Sequence, residues 1–509
     1  MFVTAVAGTS RGPTIVLLTC CLSVFVAGLD VTIANVALPS IQRGLHAPVS
    51  GLQWTIDAYT LVIACLLMFS GSLADRFGRR RVFQLGLGIF ALGSLLCGLA
   101  PSLGALIAFR AVQAVGGSML NPVAMSIVAT TFTEPAARAR AVGAWGAVGG
   151  LSLASGPVLG GLLVDDFGWR SIFWVNVPIG VLAGYLAHRF VPESKAARGK
   201  RFDPLGQLLV VTLLGPVTAA VIEGPRHGWS SPLIIGLFVL AGVSVLGLAV
   251  VERRRFEPLV EIRFFRSPAF SGAIVVGLVA LTTVGGFLFL NTLYLQDVRG
   301  YSPLHAGLLT IPMAAAVAVC SPVSGRIVAA RGPRVALVLA GLLLAAGTGL
   351  LAGAGRETGV WYLVLAYLLF GAGSGLVNTP ITNAALSGLP RDQSGVAGAI
   401  ASAARSTGGA IGVAVCGSIV AGSSAGFVPA SRVAWAVLAG CGGATVLLGL
   451  LSTGRWARAR AERHGRQLSA QITDVADEQP EDDKRRGGPG MGGDAGIHHR
   501  PGPAPRPAP

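Results

Sequence analysis

Charge is what this 509-residue sequence has least of: Asp, Glu, Lys and Arg together make up 12% of it, against roughly 25% in an ordinary soluble domain. That shortage excludes a soluble enzyme. Lysine is nearly missing, with 3 residues against 36 Arg, so the formal charge of +16 comes from Arg set mostly in short segments between apolar runs, which excludes a nucleic-acid binder of ordinary kind. The seven Cys (20, 21, 65, 97, 320, 416 and 441) all fall in apolar segments. An odd number so placed excludes a disulfide framework and predicts free, packed thiols. The seven His show no metal-ligand spacing apart from the adjacent His498 and His499, and no metal is expected. No GxxxxGK[ST] loop is present, so ATP is not the expected energy source. Gly488-x-Gly490-x-x-Gly493 has no preceding strand, and Gly422-Ser-Ser424-Ala-Gly426 no sheet to support it, so both are chance matches.

What the chain has in quantity is apolar length: 52% hydrophobic residues and 71 Gly. Runs of about 20 apolar residues bounded by charge or Pro predict fourteen membrane helices, near 14–37, 53–73, 82–100, 103–128, 141–163, 171–190, 205–222, 232–251, 270–293, 304–328, 334–354, 360–384, 396–420 and 433–452. Helix is expected because hydrocarbon offers backbone groups no outside partner, and the alternation of a membrane β-barrel is missing. The first run has no small-residue cleavage site and reads as a retained span. Segments after even-numbered spans hold 20 Arg and Lys against 6 after odd-numbered ones, which predicts that both termini are cytoplasmic.

GSLADRFGRR (71–80) and GRIVAARGPR (325–334) match at three positions with an offset of 254, which pairs spans 1 to 6 with spans 9 to 14. Two related six-helix halves with a cavity between them are a transporter plan. The expected organisation is a cytoplasmic segment 1–13, a six-helix bundle 14–190, a linker 191–269 that carries an inserted, peripheral helix pair (about 205–222 and 232–251), a second bundle 270–452, and a cytoplasmic tail 453–509. The tail begins as a basic stretch (455–467) and continues as acidic, then Pro/Gly-rich sequence expected to be disordered.

Ionisable residues inside the spans are the sharpest physical signal, since each costs about 2.5–3.5 kcal/mol at a helix centre on insertion scales. Asp30 lies roughly 12 Å from the outer end of span 1 and Asp57 about one turn into span 2. Arg110 and Arg405 sit near the middle of spans 4 and 13, and neither can lose its proton. A carboxylate in such a cavity can be poised to exchange a proton as access alternates. Asp30 is therefore the expected proton-coupling residue, tuned by Arg110, with Asp57 contributing to coupling or to cationic substrate binding. The bland alternatives are a fixed hydrogen-bond network around Asp30 and a solvated or capping role for Asp57; Arg405 reads equally as packing or as a group for substrate anions. Gln53, Asn35 and Gln113 join Asp57 and Arg405 as substrate-path candidates.

LDVTIANVALPSI (29–41), LQWTIDAYTL (52–61), GSLADRFGRRR (71–81), RAVQAVGG (110–117), WGAVGGLSLASGPVLGG (145–161), YLQDVRGYSPLHAGL (294–308) and the stretch 405–412 together resemble the fourteen-span drug:proton antiporter branch of the major facilitator superfamily. The resemblance implies an all-α fold of two pseudo-symmetric six-helix bundles plus an inserted two-helix hairpin. It implies a cytoplasmic gate motif (Gly71, Asp75, Arg76, Gly78, Arg79, Arg80) that holds one conformation by charge pairing, asymmetric because Ala329 stands where Asp75 would repeat. Gly156, Pro157, Gly160 and Gly161 are similar to the antiporter motif that favours export. The chain is thus expected to be a non-enzymatic, proton-driven exporter of small amphipathic drugs in the bacterial cytoplasmic membrane, without cofactor, ATP or nucleic acid, and monomeric. A proton-coupled importer of the same fold is the nearest rival, and a membrane-embedded enzyme or sensor the more distant one.

Overall fold

The computed structural model describes residues 11–195, 203–254, 262–387, 394–424 and 426–454, and among them every regular element is helical. In chain order these are α1 (Arg11–Leu45), α2 (Val49–Phe77), α3 (Arg79–Gly98), α4 (Leu103–Thr131), α5 (Pro135–Phe167), α6 (Ser171–Trp174), α7 (Asn176–Phe190), α8 (Pro204–His227), α9 (Pro232–Arg254), α10 (Pro268–Leu293), α11 (Pro303–Leu309), α12 (Ile311–Arg331), α13 (Pro333–Ala352), α14 (Val360–Leu386), α15 (Ser394–Ala421) and α16 (Phe427–Ser452). A single 3₁₀ turn, Ile262–Arg266, precedes α10, and one π turn, Tyr294–Val298, continues it. They amount to fourteen helical stretches long and apolar enough to cross a membrane, with α6 and α7 sharing one and α11 and α12 another. The basic stretch 455–467 and the rest of the tail expectation lie outside the described residues.

Several helices run beyond their apolar cores. The first run predicts 14–37, yet α1 continues to Leu45 through Pro39, because the helix stops at a turn signal and not where hydrocarbon ends. Those signals are local. Ser102 and Asp203 accept hydrogen bonds from the amides of Ala105 and Gly206 and cap α4 and α8; Pro opens α5, α8, α10, α11 and α13. Gly78, at φ +107°, ends α2 in a conformation that side chains disfavour.

An even number of crossings puts the start of α1 and the end of α16 on one side, the terminal face; α1 ends and α2 begins on the opposite, distal face. In the first half α1 packs on α4, α5 and α7, and α4 packs on α2 and α3. In the second half α10 packs on α14, α15 and α16, and α13 on α14 and α16. Of the inserted pair, α9 keeps the expected peripheral position and α8 does not. Helix α9 packs on α8, but α8 itself lies against both α2 and α15 and so touches both halves. Trp54 Nε1 donates to Glu223 Oε1 (2.9 Å), Gln207 Nε2 to the Cys65 carbonyl (2.8 Å) and Ser418 Oγ to the Val221 carbonyl (2.5 Å). Composition could not show this, because the apolar run of α8 looks the same whether it faces lipid or protein.

Among the described residues, the hydrogen bonds that run directly from one half to the other all lie toward the distal face. Gln53 Nε2 donates to the carbonyls of Ala414 (2.7 Å) and Val413 (3.4 Å), Gln296 Nε2 to that of Val36 (2.8 Å), and the Leu304 amide to Asp165 Oδ2 (3.0 Å). A continuous apolar core backs this seal, from Ile33, Leu38 and Phe173 in the first half to Phe287, Leu290 and Trp435 in the second. A cavity of about 450 Å³ lined by Gln42, Val49, Asp297, Arg356, Val420 and Phe427 sits at the distal helix ends and includes none of the predicted site residues.

Candidate functional site

Asp30, fully buried in α1, is the hub of a network drawn from five elements. Arg110 Nη1 in α4 donates to its Oδ2 at 2.6 Å, while Gln113 Nε2 and Asn176 Nδ2 each donate to Oδ1 at 2.8 Å. Arg110 spends its other donors inside the bundle as well, on the Thr55 carbonyl of α2 (3.1 Å) and on Gln113 Oε1 (2.7 Å), and its guanidinium lies 4.2 Å from the Tyr59 ring centroid. Gln113 Nε2 also reaches Ser94 Oγ in α3 at 2.7 Å. A buried ion pair survives only when most of its remaining lone pairs and protons are satisfied, and here both oxygens of Asp30 and the Nε and Nη1 groups of Arg110 are hydrogen-bonded. Asp30 and Arg110, paired in the sequence reading, are thus brought into direct contact, and Gln113, a substrate-path candidate on sequence, is an internal member of the same network. Asn176 is a partner that sequence reasoning misses. Its signal is a carboxamide inside the apolar run 171–190, where hydrocarbon demands a polar partner.

Asp57 is the opposite case. Its position in the sequence leaves coupling or cationic substrate binding open beside a solvated or capping role; the structure removes the solvated role, since Asp57 is fully buried and neither carboxylate oxygen has a hydrogen-bond partner. Gln53, one turn earlier on the same face of α2, is clamped to α15 through the Ala414 carbonyl, and α15 packs on α2. Thr60, the other helical neighbour, turns its hydroxyl to the backbone carbonyls of Ile56 and Asp57. Asn35 is buried in α1 with its amide group on the Val31 carbonyl and its oxygen unpartnered.

Arg405 is remote from that network, in the other half. Its Nη1 donates to Thr382 Oγ1 of α14 (3.0 Å) and its Nη2 to Ser402 Oγ (2.7 Å).

At the terminal face, Arg79 Nη2 donates to Asp75 Oδ1 at 3.2 Å, an (i, i+4) pair. A residue outside the motif completes the turn. Glu193 Oε1, just past α7, accepts from the amides of Arg80 and Ser194 (3.1 Å each), and the Arg79 amide donates to the Ser194 carbonyl (2.9 Å). A Cβ on Gly78 would stand 2.5 Å from Glu193 Oε1, so glycine is required for this docking as well as for its φ. Glu193 Oε2 lies 3.9 Å from Arg80 Nε and 3.7 Å from Arg81 Nε. Arg76 instead stacks over Phe77 at 5.6 Å, and Gly71 has open space beside it.

The glycines of the antiporter-like stretch serve two neighbours from one helix. A Cβ on Gly156 would meet Thr32, and one on Gly160 would stand 2.8 Å from Ile33 Cγ1, both in α1. On another face of α5, a Cβ on Gly161 would stand 2.6 Å from the Pro303 carbonyl oxygen, while the Pro157 carbonyl is met by Gly307 of α11. Small residues thus let α5 touch both halves backbone to backbone.

The Major Facilitator Superfamily model matches residues 20–413. The chain is 42% identical over 401 residues to the multidrug resistance protein Stp of Mycobacterium tuberculosis strain H37Rv, covering 79% of this chain and 74% of that one. It is 33% identical over 476 residues to the tetracenomycin C resistance and export protein of Streptomyces glaucescens, covering 93% and 84%. Among solved structures, the crystal structure of a peptide transporter POT in complex with sulfate superposes with a TM-score of 0.64 at 17% identity, over 89% of this chain and 95% of that one.

Proposed function

The chain belongs to the Major Facilitator Superfamily, and on that premise we propose that it exports small amphipathic drugs or antibiotics across the bacterial cytoplasmic membrane, in exchange for protons, by alternating access. Relatives named as multidrug resistance and as resistance and export proteins support the direction. Both termini are cytoplasmic in this reading, on the Arg distribution, which makes the distal face external. The protein works as a monomer, without cofactor or ATP.

The observation that carries the coupling is the contrast between the two buried acids. Asp30 is held by Arg110, Gln113 and Asn176, whereas Asp57 has no hydrogen-bond partner on its carboxylate and sits one turn below the Gln53 clamp between the halves. Burying a carboxylate without a partner costs several kcal/mol when it is charged. Whether Asp57 carries a proton, or a cationic group of the substrate, is thereby tied to whether the distal seal is closed. In this reading Asp57 exchanges the proton, and Asp30 with Arg110 holds α1, α4 and α7 in register for it. The cycle runs as a rocking of the two halves. Substrate enters from the terminal face, the seal opens, a proton arriving from the distal side takes Asp57 as the substrate leaves to that side, the seal closes, and the proton leaves to the terminal side.

The test is drug-induced proton movement in inverted vesicles with a preformed pH gradient, comparing the wild type, Asp57→Asn and Asp30→Asn. The expected result is that the drug dissipates the gradient only with an ionisable residue 57. Coupling that survives Asp57→Asn would move the proton site elsewhere, and a wild type that moves no protons with any compound would end the antiport reading.

A further inference from the structure

The two membrane arginines are built into their surroundings differently. Arg110 has a carboxylate at 2.6 Å, a carbonyl and a carboxamide on its donors, and an aromatic face beneath it. Arg405 has two hydroxyls, Thr382 Oγ1 at 3.0 Å and Ser402 Oγ at 2.7 Å, and no acid forms an ion pair with it among the described residues. Hydroxyls satisfy N–H groups but leave the charge uncompensated, and a guanidinium cannot shed its proton. A cation in such a place is retained where it meets an anion for part of its working cycle.

Its depth limits what that anion is. Arg405 lies about 4 Å along the axis from the middle of α15, counted at 1.5 Å per residue, so a lipid headgroup does not reach it. The aliphatic stem of Arg405 packs beside α10, where a Cβ on Gly277 would stand 3.5 Å from Arg405 Cγ. The guanidinium and the two hydroxyls form a fork that matches a carboxylate or phenolate oxygen, with Thr382 and Ser402 able to turn and donate as well.

We infer that Arg405, with Thr382 and Ser402, forms an anion subsite in the second half that receives the acidic group of an amphipathic exported compound. The inference rests on the export reading above and specifies its substrate: molecules bearing a carboxylate or phenolate are recognised by α14 and α15, and the counterpart in the first half is the unpartnered Asp57. Asp30 and Arg110 pair with each other, which leaves Asp57 in the first half and Arg405 in the second as the ionisable groups among these four not in an ion pair.

The experiment uses two probes in inverted vesicles of full-length protein: a xanthene dye with a free carboxylate, and its methyl ester. Wild type is expected to transport both. Arg405→Gln should raise KM for the acid about tenfold and leave the ester within twofold; Arg405→Lys, which keeps a point charge but not the fork, should lie between. Equilibrium binding of the acid dye to purified Arg405→Gln, followed by fluorescence polarisation, should weaken in step. Equal losses for both dyes in Arg405→Gln would make Arg405 structural and overturn the subsite, and so would no loss for either. Transport of both dyes that depends on chloride, against gluconate, would assign the site to an inorganic anion instead. A wild type that exports the ester but not the acid defeats the subsite and leaves export standing; one that exports neither defeats the export reading and the subsite with it.

Discussion

Arg110 Nη1 stands 2.6 Å from Asp30 Oδ2, both side chains essentially without solvent exposure, and the pair joins α4 to α1 at the depth where neither charge has any other route to water. Removing one partner strands the other, which for a buried pair costs about 3–5 kcal/mol. Arg110→Gln is therefore expected to lower the thermal unfolding temperature in detergent by many degrees. Asp30→Asn combined with Arg110→Gln should be less destabilised than Arg110→Gln alone, since the double variant leaves no unpaired charge. A double variant at least as unstable as the single one would show that the pair is not the principal tie.

The distal seal depends on backbone contact at Gly161, where an added side chain meets a carbonyl oxygen and not a movable rotamer. Gly161→Val should hold the seal open. A reporter cysteine at Val36 in a cysteine-free background is expected to react about tenfold faster with an impermeant maleimide, and export should fall below a tenth. Gly143→Ala on the same helix, with nothing within 4 Å of its Cβ position, is the control and should change neither.

Helix α8 should behave as a clasp on that seal. Glu223 accepts from Trp54 on α2 while the Val221 carbonyl accepts from Ser418 on α15, and hydrogen bonds to charged groups contribute about 1.5–3 kcal/mol. Trp54→Phe and Glu223→Leu are each expected to speed labelling of the reporter at Val36 several-fold. The effects should not add, because either change removes the same bond. Additive effects would mean that the two residues act separately.

Glu193 should matter to transport more than to stability. Its contacts with the Arg80 and Arg81 side chains are partly exposed and long, so Glu193→Ala is expected to cost no more than about 1 kcal/mol on unfolding. It also frees the turn between α2 and α3 from the segment after α7, and the export rate should drop several-fold. Unchanged transport in a well-folded Glu193→Ala protein would show that this docking is decoration on the loop.

Residue order alone is enough to show a stack of membrane helices in two related halves, because hydrocarbon leaves the backbone only local hydrogen bonds and forces long apolar runs to be helices. For the same reason it exposes Asp30, Asp57, Arg110 and Arg405: an ionisable residue within an apolar run is visible without any fold. Partnership is legible only in part. Depth alone relates Asp30 to Arg110, but Asn176 as a third ligand of Asp30, Glu193 under Gly78, and Glu223 against Trp54 join residues 146, 115 and 169 positions apart. The contact of Gln53 with Ala414 likewise joins the two halves across 361 positions. Such pairings wait on the packed molecule, since helix periodicity tells which residues share a face and says nothing about which other helix that face will meet.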